Sequence, residues 1–145
     1  MIKFKYTKCY PDGRREYFLA AQKDENHPIG IIFYREDGPA EILADGTQIW
    51  YTNGVKSRLD GPTVVYPGGK QEFWTNGRLG RKEGPAIIYE DGGTDWINNH
   101  GLYHRTGAPA REFADGTKVY YHEGREVEAA SDKEFVRKVR LINLM

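Results

Sequence analysis

Histidine and cysteine are the residues of this 145-residue chain whose chemistry is easiest to test by spacing. His100 and His104 are four residues apart, but they fall in a turn and a strand, so they do not make the metal pair that this spacing gives on a helix. The single cysteine, Cys9, excludes an intramolecular disulfide and a cysteine-based zinc cage. It aligns with apolar repeat positions and is predicted to pack as a small apolar residue. The sequence therefore predicts no metal site.

Acidic residues are the other candidates for chemistry, and their distribution points away from an enzyme. The chain has 21 Asp and Glu against 21 Lys and Arg, spread along its length, so no carboxylate pair stands out for acid–base catalysis. No phosphate-binding glycine motif opens a helix, and Gly68-Gly69-Lys70 predicts only a turn. We therefore expect a protein that is not an enzyme and that needs no cofactor.

Composition sets the broad class. The formal net charge is zero, so the chain has no overall field for nucleic acid or anionic lipid. Aromatic residues make up 13% of the chain, which argues against a disordered protein. Neither a signal peptide nor an apolar run of membrane-spanning length is present. These features predict a soluble, cytoplasmic protein, with no membrane as its partner.

The sequence contains a repeat of about 23 residues, and the structure of this repeat determines where the side chains discussed above lie. Its first marker is an arginine with a proline four residues later, at Arg35, Arg58, Arg81 and Arg105. Asp-Gly and Asn-Gly pairs keep the same period, and both favour tight turns because they tolerate positive φ. The segments between them are rich in β-branched and aromatic residues. The predicted fold class is all-β, an antiparallel meander of about five 23-residue β-hairpin repeats.

Two further segments complete the domain organisation. Residues 1–130 are predicted to form the β-hairpin repeat domain, with an insert at 19–29 in the first repeat. Residues 131–145 are predicted to form a C-terminal amphipathic α-helix, in which Ser131 and Glu134 fit a capping box. Phe135, Val139 and Ile142 share one face of that helix. The helix is expected to cap the last repeat, whose outer edge would otherwise be open for pairing. The alternative is that it binds a partner.

The binding residues are predicted from the two faces of the sheet. If Asp45-Gly46 is a two-residue turn, Ala40 lies opposite Tyr51, and one face alternates small residues with large rings. Such a surface suits partner binding, because Tyr and Trp supply contact area at low entropic cost. The small residues of this face are Ala40, Thr63, Ala86 and Ala110, and the large side chains predicted on it are Phe18, Tyr51, Trp74, Ile97 and Tyr121. The alternative is that both faces are covered, one by the twist of the sheet and the other by loops and the helix. The insert adds a second set of candidate partner-binding residues: Lys23, Asp24, Glu25 and His27.

The arginine column has two interpretations. Arg35, Arg58 and Arg81 each have an acid two residues further on, at Asp37, Asp60 and Glu83, so the pairs point the same way in an extended chain. A ladder of ion pairs is favoured over a stripe of guanidinium groups for phosphates, because each arginine brings an acid with it.

The frame Arg-x-(Asp/Glu)-Gly-Pro-(Ala/Thr), then Asp-Gly-Thr, an aromatic pair and Asn-Gly, resembles the MORN-type repeats. It is more similar to the divergent repeats of bacterial toxin-neutralising proteins and of phage and large-virus proteins. The resemblance covers about residues 5–127 and departs from the pattern at Leu19–Ile29, at Gly107-Ala108-Pro109 and at Glu123-Gly124. It implies a binding or scaffolding module whose Gly, Pro and aromatic positions are structural, so it implies no catalytic residue.

These observations predict a non-enzymatic protein-binding repeat module. Its most specific form is a phage-type or toxin-neutralising inhibitor that acts by steric occlusion of a partner protein. Two alternatives stay open: a structural scaffold, and a nucleic-acid-binding sheet with Tyr51, Trp74 and Tyr121 as stacking platforms. The first strand, predicted over Ile2–Tyr10, has an open edge that could pair with its copy in a homodimer.

Overall fold

A computed structural model describes residues 3–21 and 30–145 of the chain. The chain divides into two compact units, Met1–Gly77 and Arg78–Met145. Short antiparallel strands dominate both units, and the second also contains the C-terminal helix. The predicted all-β meander with one terminal helix is confirmed.

The first unit has ten strands among its described residues. They are β1 (Phe4–Cys9), β2 (Arg15–Ala20), β3 (Ile32–Phe33), β4 (Glu41–Ile42), β5 (Gln48–Ile49), β6 (Tyr51–Thr52), β7 (Val55–Lys56), β8 (Val64–Val65), β9 (Gln71–Glu72) and β10 (Trp74–Thr75). The main sheet of this unit has the order β1-β2-β4-β5-β8-β9, with β3 also paired to β2. β6 and β7 form a separate two-stranded hairpin. Cys9 is exposed rather than packed, because no described strand lies beyond β1.

The second unit continues the same construction and ends in the helix. Its elements are β11 (Arg78–Leu79), β12 (Ile87–Ile88), β13 (Thr94–Asp95), β14 (Arg111–Glu112), β15 (Lys118–Val119), β16 (Tyr121–His122), β17 (Arg125–Glu126) and α1 (Asp132–Ile142). The main sheet here has the order β12-β13-β14-β15, and β16 pairs with β17.

The Asp-Gly turns set a register that differs from the predicted one. At Asp45-Gly46, the Leu43 amide donates to the Thr47 carbonyl at 2.8 Å, and the Gly46 amide donates to the Leu43 carbonyl at 3.0 Å. Gly46 has a φ of 91°, and Asp45 accepts a hydrogen bond from the Thr47 amide at 2.8 Å. This is a three-residue loop ending in a left-handed glycine. The predicted two-residue turn is wrong, and every cross-strand pair moves by one residue.

The shift changes which side chains are neighbours. Glu41 pairs with Ile49 across β4 and β5, whereas the two-residue turn would have put Glu41 opposite Trp50. The small residues predicted on the open face are fully buried instead: Ala40, Thr63, Ala86 and Ala110. The sheet face that carries them is therefore covered in the folded chain.

The strand that follows the Asp-Gly or Gly-Gly turn ends after two residues in every repeat except the first, where β2 runs unbroken over Arg15–Ala20. A second short strand or bridge follows, which explains why the strands outnumber the ten expected. β5 pairs with β4 and β8 in the main sheet, while β6 begins two residues further along and pairs with β7. Asn53 and Gly54, between β6 and β7, have φ values of 52° and 77°. Positive φ at both central residues is the requirement of a type I′ hairpin turn. A repeat thus contributes two hairpins, one at Asp-Gly and one at Asn-Gly.

Helix α1 packs on the last hairpin of the second unit. Phe135 is 1% exposed and lies against Tyr120, with their ring centroids 5.0 Å apart, and Val127 completes this cluster. Burial of one large aromatic side chain stabilises a fold by roughly 1.5–3 kcal/mol. The predicted capping role of the helix is consistent with this contact.

The start of α1 follows the predicted capping box with one difference. The Ser131 hydroxyl accepts a hydrogen bond from the Glu134 amide at 3.2 Å, as expected for an N-cap residue. The Glu134 carboxylate reaches the Ala130 amide at 2.9 Å, one residue before the cap. This bond is the largest cause that lowers the Glu134 pKa, and an ion pair with Lys138 lowers it further.

Candidate binding surface

The aromatic face predicted to bind a partner is largely packed within the two units. Phe18 is 3% exposed and stacks on Tyr6 across β1 and β2, with ring centroids 5.4 Å apart. Ile97 is 8% exposed and belongs to an apolar cluster with Ala86 and Ile87. The prediction that Phe18 and Ile97 lie exposed is wrong, because both side chains pack against side chains of other strands.

Tyr51 and Trp74, in the first unit, keep one side toward solvent and use the other for packing. The Tyr51 ring stacks on Phe33 with centroids 4.7 Å apart, and its hydroxyl donates to Glu41 at 2.8 Å. The Trp74 ring has the Lys56 ammonium group 5.0 Å from its centroid. Both rings are half-buried. One side of each ring is therefore already in contact within the fold, which reduces the area on which a base or a partner could stack.

Tyr121, in the second unit, follows the same pattern. Its ring packs against Tyr103 with centroids 5.0 Å apart, and it is half-buried. The remaining predicted binding residues, Lys23, Asp24, Glu25 and His27 of the insert, lie outside the described residues.

The arginine column is engaged within the fold. Arg58 lies over the Trp50 ring at 4.2 Å, its Nε donates to Asp60 at 3.1 Å, and its Nη1 donates to the Pro62 carbonyl at 3.3 Å. Arg35 makes the equivalent contacts, including an ion pair with Asp37 at 3.4 Å. The predicted ion pairs are confirmed at these two positions. Each arginine holds its proline turn against the preceding aromatic ring, and a phosphate would have to displace those contacts.

Arg105 departs from the ladder, as its altered turn sequence suggests. It lies 4.0 Å over the Trp96 ring and donates to the Pro109 carbonyl, but its acid is Glu112, at 2.6 Å. Position 107 is a glycine where the other repeats have an acid, so a carboxylate from β14 takes its place.

Two buried carboxylates are the polar residues that sequence reasoning missed. Glu72, 7% exposed, accepts hydrogen bonds from Trp74 Nε1 at 2.9 Å, Lys70 Nζ at 2.8 Å and Tyr66 Oη at 3.1 Å. Burial by itself would raise the Glu72 pKa, but these donors outweigh it and the pKa lies below its ordinary value. Burial beside this carboxylate raises the Tyr66 pKa to about 12.

Asp95 repeats the arrangement in the second unit. It is 2% exposed and accepts hydrogen bonds from Tyr89 Oη at 3.0 Å, Tyr103 Oη at 3.3 Å and Arg111 Nε at 2.9 Å. With three donors each, Asp95 and Glu72 serve as cross-links rather than as free acid–base groups.

A spacing in the sequence could have revealed these carboxylates. A tyrosine precedes an acid by six residues across the Asp-Gly or Gly-Gly turn, and the two side chains are hydrogen-bonded in each case. The pairs are Tyr10–Glu16, Tyr66–Glu72 and Tyr89–Asp95.

The outer face of α1 is a surface that stays open among the described residues. Lys133, Arg137 and Arg140 follow one another at spacings of four and three residues, so they project from one side of the helix. All three are exposed. Within the described residues their side chains make no direct ion pair or hydrogen bond, although the Arg137 charge helps to lower the Glu134 pKa. The acids of α1 are used internally: Asp132 accepts a hydrogen bond from the Tyr120 hydroxyl at 2.7 Å, and Glu134 caps the helix.

Two grooves run along α1 and share Val136 and Arg140. One, of about 640 Å³, also has Lys133 and Arg137 on its wall. The other, of about 410 Å³, lies between α1 and the hairpins and includes His104 and His122. The helix thus presents a half-buried valine between cationic side chains.

The two histidines of the smaller groove do not form a metal centre. Their ring centroids are 5.4 Å apart, and His104 Nδ1 accepts a hydrogen bond from the Glu123 amide at 3.1 Å. His122 Nε2 lies 3.2 Å from Asn143 Oδ1. In the part of the chain that the structure describes, no three His, Cys, Asp or Glu residues are placed to hold a metal ion.

The last turn of α1 and the residues after it add apolar surface. Phe135 of the same helix is buried, whereas four large apolar side chains toward its C-terminal end are exposed. They are Leu141, Ile142, Leu144 and Met145. We call these four residues the apolar end of α1.

The fold and this surface define a β-hairpin repeat protein closed by an amphipathic helix with a cationic, partly apolar outer face. No protein-family model matches the chain, and no curated protein or solved structure matches it either. The only helix within residues 3–21 and 30–145 lacks the length and hydrophobicity to cross a membrane.

Proposed function

We propose that the protein is a non-enzymatic repeat module that binds another protein through the outer face of α1. Its most specific form is a cytoplasmic inhibitor of the phage or toxin-neutralising type, which occludes its partner. The observation that carries this proposal is the exposure of the apolar end of α1 beside the buried Phe135.

The apolar end suits a protein partner for a physical reason. Leu141 and Leu144 are 58% and 83% exposed, and clustered apolar side chains rimmed by charges mark interaction surfaces in folded proteins. Covering such side chains contributes about 25 cal/mol for each Å² of apolar surface removed from water. The flanking Arg137 and Arg140 supply a polar rim, as in typical protein–protein interfaces.

The use of the other polar groups supports a binding role over catalysis. The two most buried carboxylates, Glu72 and Asp95, each accept hydrogen bonds from three side-chain donors. Arg58 and Arg105 are stacked on tryptophans and bonded to proline carbonyls. These side chains stabilise the repeats, and their arrangement favours protein binding over the alternative of nucleic-acid binding by the aromatic and arginine columns.

Affinity capture with matched variants tests the proposal. Tagged wild-type protein, Leu141→Asp/Leu144→Asp and Leu59→Asp are incubated with nuclease-treated lysate of the source organism. Leu59, on a turn of the first unit, is fully exposed and serves as the control. Circular dichroism first verifies that all three are folded.

The proposal predicts one stoichiometric protein on the wild type and on Leu59→Asp, and its loss on the double variant. Equal capture by the double variant would exclude α1 as the binding surface. Capture of nothing by the wild type, or recovery that depends on intact nucleic acid, would contradict protein binding.

A further inference from the structure

We infer that the partner segment that docks on α1 is acidic and amphipathic, with carboxylates over the cationic stripe and apolar side chains over the valine and the apolar end. This inference rests on the proposed function and names the chemistry of its partner. The cationic stripe is defined as Lys133, Arg137 and Arg140.

The charge balance of the C-terminal segment indicates the sign of the partner's charge. Residues 131–145 contain four basic side chains, Lys133, Arg137, Lys138 and Arg140, and two acids, so their formal charge is 4 − 2 = +2 in a chain of net charge zero. Of the two acids, one accepts a hydrogen bond from Tyr120 and the other caps the helix. Lys138 pairs with Glu134 and donates to the Glu128 carbonyl. The outward side of α1 thus carries the three cations of the stripe against the one exposed Asp132 carboxylate, so it is net positive and the complementary surface is acidic.

The grooves indicate that the partner segment also carries apolar side chains. Val136 lies on the wall of both grooves and is half-buried, with Arg140 beside it in each. Val139 lines the smaller groove as well. A segment that places apolar side chains on Val136 and carboxylates on the arginines satisfies both features at once. An amphipathic helix laid along a groove is a recurring way to make such a contact.

Other occupants fit the same geometry less well. An anionic bilayer would take up a whole apolar helix face, but Phe135 and Val139 pack against the hairpin, so only the apolar end of α1 could insert. A nucleic acid would use the cations and leave the apolar end uncovered. A second copy of the chain is neutral overall. Each of these becomes an outcome of the test.

The probe is a pair of fluorescent synthetic peptides of about five helical turns. Both have leucines at helical i, i+3, i+4 and i+7 positions, and the remaining positions are glutamate in one peptide and lysine in the other. Fluorescence anisotropy measures their binding to the full chain at low and high salt. Vesicles of phosphatidylcholine with phosphatidylglycerol, a single-stranded oligonucleotide and light scattering of the protein alone test the other occupants.

The glutamate peptide is expected to bind roughly tenfold more tightly than the lysine peptide, with an affinity that falls as salt screens the charges. Arg137→Glu/Arg140→Glu should weaken it roughly tenfold, while Lys82→Glu, at an exposed lysine elsewhere in the second unit, leaves it unchanged. Equal binding of both peptides, or no binding of the glutamate peptide, overturns the inference. So does stronger binding to vesicles, to the oligonucleotide or to a second copy.

The same charge variants separate this inference from the proposed function. If Leu141→Asp/Leu144→Asp abolishes protein capture and Arg137→Glu/Arg140→Glu does not, α1 binds a protein that is not acidic. If neither variant affects capture, the proposed function itself fails at this surface.

Discussion

Asp95 and Arg111 are cross-strand partners on β13 and β14, and Arg111 Nε donates to the Asp95 carboxylate at 2.9 Å. Tyr89 and Tyr103 donate to the same carboxylate, so one buried acid joins three chain segments of the second unit. Only 39% of the chain is apolar. Because apolar residues are few, the repeats are also held together by buried carboxylates that accept several hydrogen bonds.

Removing the Asp95 carboxylate should destabilise the protein by about 3 kcal/mol, because Arg111 and two tyrosine hydroxyls lose their acceptor. Denaturant unfolding of Asp95→Ala measures this loss as a lower midpoint. Glu90→Ala, at an exposed acid of the same unit, should change stability by less than about 0.5 kcal/mol. Equal effects of the two variants would show that the cross-link does not stabilise the fold.

Gly80 is expected to be the glycine least tolerant of a side chain among those in the second unit. Its φ is 143°, and a Cβ there would overlap the carbonyl oxygen of Asn98. Gly92 has a φ of 90°, and no atom lies near the position that a Cβ would take. An alanine there therefore measures only the cost of placing a side chain on a left-handed backbone. Gly80→Ala should unfold at a clearly lower temperature than Gly92→Ala, which should lose roughly 1 kcal/mol. Identical melting temperatures would contradict this packing.

The buried tyrosines predict how stability depends on alkaline pH. Burial is the main cause that raises the pKa of Tyr66, Tyr89 and Tyr120 to about 12, and a hydrogen-bonded carboxylate contributes at each. In the unfolded chain these groups titrate near ~10. The stability that they contribute is thus complete below pH ~10 and is lost as pH rises toward 12.

Two measurements check this dependence. Phenolate absorbance should show a late-ionising fraction of the ten tyrosines, and denaturant midpoints should fall between pH ~10 and 12. A single ionisation midpoint near ~10 in the folded protein would contradict the burial of these hydroxyls.

Much of the fold could be predicted from the sequence, because its turns and helix caps are formed by residues that are close together in the chain. Asn53-Gly54 adopts the two positive φ values that its residue types favour. Ser131 caps α1 as its spacing from Glu134 predicts, while the Glu134 carboxylate bonds the amide one residue earlier than in the predicted capping box. The register was not predictable in this way, because Asp45-Gly46 suits both two-residue and three-residue loops.

The candidate surface was harder to predict for the same reason. Phe18 and Ile97, which the sequence placed on an exposed face, are buried by packing against side chains of other strands. The cationic stripe of α1 was visible only as a set of basic residues, since nothing in the sequence says that Asp132 is taken by Tyr120. Long-range hydrogen bonds, rather than local preferences, decide which charges remain free.

Glu123 marks a place where the chain departs from its own repeat. It has a φ of 48° at the position that Asn53 and Asn76 occupy in other hairpins. Asparagine tolerates this left-handed conformation better than glutamate. Glu123→Asn should therefore raise stability by roughly 0.5–1 kcal/mol, even with its exposed contacts to Asn98 and His104 lost. An unchanged or lower unfolding free energy would indicate that those contacts matter more than the backbone.

Site-specific photo-crosslinking tests the central claim most directly. A photoreactive amino acid replaces Leu144, in the apolar end of α1, or Leu59, which is exposed in the first unit and serves as the control. Both variants are irradiated in cells of the source organism. Binding through α1 predicts one discrete protein adduct from position 144 that is missing from position 59. No adduct at 144, the same adducts at both positions, or an adduct removed by nuclease would contradict it.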